Sequence, residues 1–157
     1  MKKGIILVWA LPGTLAFAAL AAPLLGGHPL AAWAIREFFS RVCHQEAQRS
    51  FWIAGAPVAV CARCLGIYLG AAVGAWMRWP RRVAVRFLAV AAVINGLDVA
   101  TEMAGLHGNW IDLRFVFGVV LGVGMAAVVA ASSLGSPSLA LRASSGTQGV
   151  ERSLWHG

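Results

Sequence analysis

The chain contains 157 residues, of which 59% are apolar and only 12% are charged, and its formal net charge is +7. Soluble domains are about 45–50% apolar and about 25% charged, so this composition excludes soluble globular, disordered and fibrous proteins. It indicates an integral membrane protein whose partner is the lipid bilayer. The basic excess does not indicate nucleic-acid binding, because no polar stretch carries basic residues interleaved with aromatic ones.

Four apolar segments are each long enough to cross a bilayer, which takes about 20 residues of helix. They are residues 5–25, 61–79, 83–106 and 113–131. The sequence therefore predicts an all-α membrane domain over residues 1–131, a bundle of four transmembrane helices capped at one end by the loop 26–60. Residues 132–157 are rich in Ser and Gly and are predicted to form a disordered cytoplasmic tail.

The first segment has two interpretations. Lys2, Lys3, the apolar run after them and Ala19-Leu20-Ala21 resemble a secretory signal peptide, so that residues 1–22 would be removed. Pro23 lies close behind and disfavours cleavage, which favours a membrane anchor that is retained. Both interpretations place the loop that follows on the outer side of the membrane.

The basic residues predict the orientation of the helices, because Lys and Arg accumulate on the cytoplasmic side. With a cytoplasmic N-terminus the inner basic residues are Lys2, Lys3, Arg78, Arg81, Arg82, Arg86, Arg142 and Arg152. The outer ones are Arg36, Arg41, Arg49, Arg63 and Arg114. This distribution favours a multi-pass protein of the cell (inner) membrane with both termini in the cytoplasm and the loop 26–60 outside.

The outer loop contains two further predicted elements. Pro29 can begin a short helix, since a proline is harmless in a first turn. One face of that helix would carry Leu30, Trp33, Ala34, Phe38 and Val42. This face predicts a helix lying in the membrane interface, or alternatively one packed on the bundle. Residues 50–53 and 58–60 flank a turn at 54–57 and predict two short strands, which would bring Cys43 near Cys61.

Three cysteines and a histidine form the clearest chemical pattern. Cys43-His44 precedes Cys61-Ala62-Arg63-Cys64, and thiolate and imidazole are the ligands that zinc prefers. We therefore predict a zinc site formed by Cys61, Cys64 and either Cys43 or His44. Its fourth ligand would be either water or a side chain elsewhere in the chain, namely Glu46, His28 or His107.

Two alternatives to a metal site follow from the same cysteines. Cys61 and Cys64 lie at a predicted helix N-terminus, which together with Arg63 would stabilise a thiolate and suit a membrane thiol–disulfide oxidoreductase. Otherwise the thiols are buried small apolar groups in a non-catalytic protein that binds lipid or a protein partner. No pattern in the sequence indicates a particular substrate or catalysed reaction.

The third apolar segment holds three polar residues on one helix face. Asn95, Asp98 and Glu102 are spaced at i, i+3 and i+7. Charges at membrane depth usually face a partner or a cavity, and Arg63 and Arg114 begin the neighbouring segments at the same level. Either the carboxylates pair with these arginines, or one of them stays free to bind a proton or a cation.

Two further features involve helix packing and the only tyrosine. Glycines recur every fourth residue, at Gly66, Gly70, Gly74, Gly118 and Gly122. Such faces let helix backbones approach closely, and they are also the surfaces on which we would expect a homo-oligomer to form. Tyr68 lies one turn after Cys64 and is predicted either to anchor at the interface or to donate a hydrogen bond near the cysteines.

The segments CHQEAQRSFWIAG, CARCLGIYLG and GLDVATEMAGLHGNWIDLRFVFG resemble the domain-of-unknown-function family 2085, small prokaryotic membrane proteins. The matching positions are Cys43, His44, Gln45, Arg49, Ser50, Phe51, Cys61, Arg63, Cys64, Gly66, Tyr68, Gly70, Asp98 and Arg114. The later part departs from the family pattern, because Gly96 precedes Asp98 instead of following it and Glu102 stands where Gln is frequent. The resemblance spans residues 43–122 and implies a multi-pass membrane protein, without implying an activity.

Overall fold

The computed structural model describes residues 2–106, 108 and 110–134, and this part of the chain is mostly helical. Its five α-helices are α1 (Lys2–Ala21), α2 (Pro29–Ser40), α3 (Ala62–Gly74), α4 (Arg81–Met103) and α5 (Ile111–Leu134). A two-stranded antiparallel hairpin of β1 (Trp52–Ile53) and β2 (Ala56–Pro57) lies between α2 and α3. The short 3₁₀ turns are Ala22–Leu24 and Ala47–Arg49. The helical fold class is thus confirmed, with one small hairpin added.

Two of the described helices, α4 and α5, are long and apolar enough to cross a bilayer. The helix α3 has 13 residues, which at 1.5 Å per residue is about 20 Å, less than the roughly 30 Å hydrocarbon core. In the N-terminal part the apolar stretch Ala10–Leu24 is also shorter than a full span. Length and composition therefore support two of the four predicted spans.

Two predicted segment ends differ from the structure. The second predicted span runs to residue 79, but α3 ends at Gly74, and Pro80 is the N-terminal cap residue of the next helix, α4. At the other end of the chain, α5 continues to Leu134, so the first residues assigned to the tail are helical. The rest of the predicted tail, residues 135–157, lies outside the described residues.

Close backbone contact between α3 and α5 forms the centre of the bundle. A side chain on Gly66 would overlap the backbone of Phe115, and one on Gly122 would overlap that of Ile67. Three more glycines make equally close contacts, namely Gly70, Gly74 and Gly118. The glycine faces therefore serve helix packing within the chain, as predicted. A homo-oligomer stays a prediction, and it would need a different surface.

The other elements complete the bundle around this pair. α4 packs on α5, and α1 packs on α3. The loop between α2 and α3 closes over one end, where Phe39, Val58 and Val60 are fully buried. Because α3 and α5 begin and α4 ends at this end, we call it the cysteine end.

The helix α2 touches the bundle through one side only. Phe39 is buried and its ring lies 6.0 Å from that of Tyr68, centroid to centroid. The predicted apolar face points away from the protein, with its large members exposed, namely Leu30, Trp33, Phe38 and Val42. The helix therefore packs on the bundle, as one of the two sequence-based alternatives predicts, and its position in the membrane interface stays a prediction.

The hairpin forms as the sequence predicted, shifted by a few residues. Its two-residue turn, Ala54-Gly55, has positive φ at both positions (49° and 78°), which a type I′ turn requires and which glycine tolerates best. The strands pair Trp52 with Pro57 and Ile53 with Ala56. The chain thus reverses direction and returns to the start of α3.

Candidate metal centre

Three cysteine sulfurs meet at the cysteine end. Cys43 follows α2, with its backbone N–H donating to the carbonyl of Phe39 at 2.9 Å. Cys61 is the N-terminal cap residue of α3, and Cys64 lies in the first turn of that helix. The three Sγ atoms all lie within 4.8 Å of one another. The structure therefore joins Cys43, rather than His44, to the Cys-x-x-Cys pair.

Hydrogen bonds hold the Cys43 loop in this position. Gln45 Nε2 donates to the carbonyl of Arg36 at 2.6 Å, and Arg36 Nη2 donates to the carbonyl of Pro57 at 2.6 Å. The Ala59 N–H donates to the carbonyl of Ala19 at 3.3 Å, which fastens the loop to α1. The loop that carries the first sulfur is thereby tied to α2, to the hairpin and to the bundle.

The Cys43 sulfur lies in an environment that favours its thiolate. The Cys61 backbone N–H donates to Cys43 Sγ at 3.2 Å. Hydrogen bonds from the thiols of Cys61 and Cys64 lower the pKa of Cys43 well below its ordinary value, although burial opposes them. Because the thiolate is the form that binds metals, this sulfur is prepared for coordination.

An ion-pair network surrounds the sulfurs. Arg63, between the two cysteines of the motif, pairs with Asp98 of α4. Arg114 of α5 pairs with Glu102, and Arg49 Nη2 lies 3.2 Å from the same Glu102 carboxylate. These pairs join α3, α4, α5 and the loop at the cysteine end. Both carboxylates are therefore engaged by arginines, which is the first of the two sequence-based alternatives for them.

Two predicted site residues lie apart from this network. Asn95 is buried one turn deeper on α4 and donates to the carbonyls of Ala91 and Phe117, both at 3.0 Å, so it ties α4 to α5. Tyr68 packs its ring on Phe39. Neither residue lines the cavity that adjoins the sulfurs.

That cavity has a volume of about 340 Å³ and is lined by the cysteines and by arginines, namely Cys43, Cys61, Cys64, Arg49, Arg63 and Arg114. Of the candidates for a fourth ligand, Glu46 lines it, but Glu46 Oε2 lies 2.8 Å from Arg49 Nε. His28 is exposed at the start of α2, and His107 lies outside the described residues. His44 lines the cavity but does not join the sulfur cluster. The cavity itself leaves room beside the sulfurs for a small ligand.

Two residues of this site were not predicted from the sequence to belong to it. In the sequence Arg49 is one of the outer basic residues and one of the positions that match the family. In the structure it links the loop to α4 through Glu102. Gln45 adopts a positive φ of 53° and braces the loop against α2. Both residues lie in the segment CHQEAQRSFWIAG, and its resemblance to the family was the feature of the sequence that could have pointed to them. Asn109, in the third sequence segment that resembles the family, lies outside the described residues.

Comparisons with known proteins agree with this sequence pattern. The model of a family described as "Predicted membrane protein (DUF2085)" matches residues 43–128. An uncharacterized protein of Methanocaldococcus jannaschii is 36% identical in an alignment 94 positions long that covers 54% of this chain. An uncharacterized protein of Methanothermobacter thermautotrophicus is 30% identical in an alignment 95 positions long that covers 56% of this chain and 84% of the relative. The matched region spans 58% of the M. jannaschii protein, and no solved structure matches the chain.

Proposed function

This chain belongs to the DUF2085 family of membrane proteins, and on that premise we propose that it holds a zinc ion at the cysteine end through Cys43, Cys61 and Cys64. The single observation that carries the proposal is the convergence of three sulfurs from two separate parts of the chain within 4.8 Å. A tetrahedral zinc with Zn–S bonds of about 2.3 Å needs sulfurs about 3.8 Å apart. Small side-chain rotations are enough to reach that spacing.

The chemistry of the donor set supports a metal. The Cys61 N–H donates to Cys43 Sγ, and such a hydrogen bond holds the sulfur as a thiolate and orients it. Arg63 of the same motif is held by Asp98, so the first turn of α3 is anchored on α4. These residues fit a tightly held site rather than three unrelated buried thiols.

The adjoining cavity supports an accessible zinc with three protein ligands. Structural zinc sites are usually closed by four protein ligands, whereas catalytic ones keep one position for water or substrate. Such a zinc would act as a Lewis acid toward a molecule in the cavity. The chain's own arginines would then position that molecule.

The proposal includes a membrane arrangement. In this arrangement α4 and α5, which are long and apolar enough to cross a bilayer, would be full spans, and α1 and the short α3, packed on α5 through its glycines, would complete a four-helix membrane bundle. The cluster of four exposed arginines at the start of α4, Arg78, Arg81, Arg82 and Arg86, favours the cytoplasm for that end. The metal site at the opposite end would then face the outside of the cell.

Metal content of the purified full-length chain tests the proposal. We expect about one zinc per chain, lost in Cys61→Ser and retained in His44→Ala, because His44 does not join the sulfur cluster. Purified wild-type protein without metal, with all three thiols freely titratable, would refute it. So would equal metal content in wild type and Cys61→Ser.

A thiol–disulfide oxidoreductase is the second candidate, favoured by the closeness of the Cys61 and Cys64 sulfurs at the start of α3. Formation of a Cys61–Cys64 disulfide would pass two electrons and two protons to a quinone or to a disulfide partner. This candidate predicts that the pair cycles between thiol and disulfide in cells. A pair that never oxidises would exclude it.

A further inference from the structure

Four exposed arginines lie at the start of α4 and pair with no carboxylate of the described residues. They are Arg78, Arg81, Arg82 and Arg86. The acidic residues of the described part lie at or near the cysteine end, at the opposite end of the bundle, namely Glu37, Glu46, Asp98, Glu102 and Asp112. Each ion pair among the described residues uses one of those carboxylates. Within the described part, the positive charge at the start of α4 is therefore not neutralised.

Two of these arginines begin a continuous exposed face of α4, which we call the α4 stripe. Arg82 and Arg86 are four residues apart, so they lie on the same side of the helix. The same side continues at four, seven and eleven residues beyond Arg86, with Val90, Val93 and Leu97, which are 60%, 62% and 60% exposed. The buried residues of α4 lie on its other side, and α4 packs on α5. The α4 stripe thus faces away from the protein, with two positive charges at one end and apolar side chains after them.

We propose that the α4 stripe binds an anionic phospholipid, with the phosphate held by Arg82 and Arg86 and an acyl chain lying along the apolar part. Guanidinium groups match phosphate oxygens in a planar, two-bond geometry. From Arg86 to Leu97 the helix rises about 16 Å at 1.5 Å per residue, which is close to half of the roughly 30 Å hydrocarbon core. The stripe therefore presents its charged and apolar groups in the order, and over the length, of a lipid in one leaflet.

An anionic lipid fits this surface better than a second copy of the chain does. Copies in one membrane share an orientation, so a symmetric contact through the α4 stripe would place the arginines of both copies side by side, where like charges repel. A lipid phosphate attracts the same arginines, and basic clusters beside a membrane span bind anionic head groups in this way. The inference rests on α4 being a membrane span. It depends neither on the zinc site nor on which end of the molecule faces the cytoplasm.

Lipid titration of delipidated, detergent-purified full-length protein tests the inference, with bound lipid counted by native mass spectrometry. The probes are short-chain phosphatidylglycerol, which is anionic, and phosphatidylcholine of the same chain length, which is zwitterionic. We expect saturable binding with a preference for phosphatidylglycerol. Arg82→Gln and Arg86→Gln should each weaken that binding about fivefold, and the double variant about 25-fold. Arg41→Gln is the matched control and should bind like the wild type, because Arg41 is an exposed arginine that follows α2 near the cysteine end.

Ionic strength gives a second test that needs no variant. Raising the salt concentration from about 0.05 M to about 0.5 M should weaken the binding of phosphatidylglycerol to the wild type, because salt screens charges, and should leave phosphatidylcholine unaffected. Equal binding of the two lipids, or equal phosphatidylglycerol binding in the double variant and Arg41→Gln, would overturn the inference. So would glycerol phosphate that competes as well as the lipid, since the apolar part of the stripe would then contribute nothing. Chelator-treated protein should bind phosphatidylglycerol unchanged, so failure of the zinc site and failure of the lipid site are separate results.

Discussion

Cys43 and His44 are neighbours in the chain, and the structure places the first of them in the sulfur cluster. The sequence left both as candidate ligands, because spacing alone does not decide which of two adjacent side chains turns inward. The choice depends on long-range contacts: Gln45 braces the loop on α2, and the Cys61 N–H meets Cys43 Sγ. Such contacts arise only when the loop has closed over the bundle, so they could not be predicted from local pattern.

Acid should release the metal. Zinc binds thiolates, so protons compete with it and its affinity falls as pH falls. Hydrogen bonds from the other two thiols lower the pKa of Cys43, and protonation of the sulfurs at lower pH displaces the metal. Zinc released to a chromophoric chelator should increase as pH is lowered from about 7 to about 5, in wild type and His44→Ala alike. Zinc retention independent of pH over this range would contradict coordination by cysteine.

The Arg63–Asp98 pair should contribute strongly to stability. Asp98 is buried, and its removal leaves the Arg63 guanidinium without its carboxylate in a largely buried position. Breaking such a pair costs about 3–5 kcal/mol. We expect Asp98→Ala to lower the free energy of unfolding by that amount, measured by denaturant unfolding in detergent.

Asp112 provides the control for that measurement. It is an exposed carboxylate in the first turn of α5, where its interaction with the helix end contributes about 1 kcal/mol or less. Asp112→Ala should therefore be nearly neutral. Equal losses in the two variants would show that Asp98 is not part of a buried pair.

At the scale of elements, the glycine pattern predicted the central helix contact well. Glycines every fourth residue mark a face on which backbones meet, and α3 and α5 do meet there. The length of α3 was less predictable, because the apolar run continues to Trp79 whereas the helix ends at Gly74. Apolar composition reports the environment of a segment and does not show at which residue its helix ends.

The close contact predicts a large effect of one methyl group. A Cβ on Gly122 would overlap the backbone of Ile67, so Gly122→Ala must separate α3 from α5 and should cost about 1–3 kcal/mol. Gly96 of α4 has nothing within 4 Å of the same position. Gly96→Ala should be neutral or stabilising by about 0.5–1 kcal/mol, because alanine favours helix.

Thermal unfolding of the two alanine variants in the same detergent is the measurement. The account predicts a lower midpoint for Gly122→Ala and an unchanged or higher one for Gly96→Ala. Comparable midpoints for both variants would mean that the α3–α5 contact is looser than described.

For the whole molecule, the distribution of charge predicts which end faces the cytoplasm. Ser40 is exposed on α2, near the cysteine end. Arg82 is exposed at the start of α4, near the opposite end. We expect an impermeant thiol reagent to label Ser40→Cys in intact cells and Arg82→Cys only after the membrane is opened. The unmodified chain, with its three less accessible thiols, gives the background. The reverse labelling pattern would invert the proposed orientation.

Because the chain holds few charged residues, part of the candidate metal centre could be predicted from the sequence. Asp98, Glu102, Arg63 and Arg114 stand out in an apolar chain, and they do meet at one end beside the cysteines. Arg49 did not stand out, since a charged residue in a polar loop is ordinary. Only the folded loop brings it to Glu102.

X-ray absorption at the zinc edge of the purified protein tests the central claim most directly. We expect three sulfur ligands at about 2.3 Å and one lighter oxygen or nitrogen ligand. Two sulfurs or fewer in Cys43→Ser would identify the third donor. A wild-type spectrum without sulfur ligands, or a sample that contains no metal, would contradict the claim that Cys43, Cys61 and Cys64 form a zinc site.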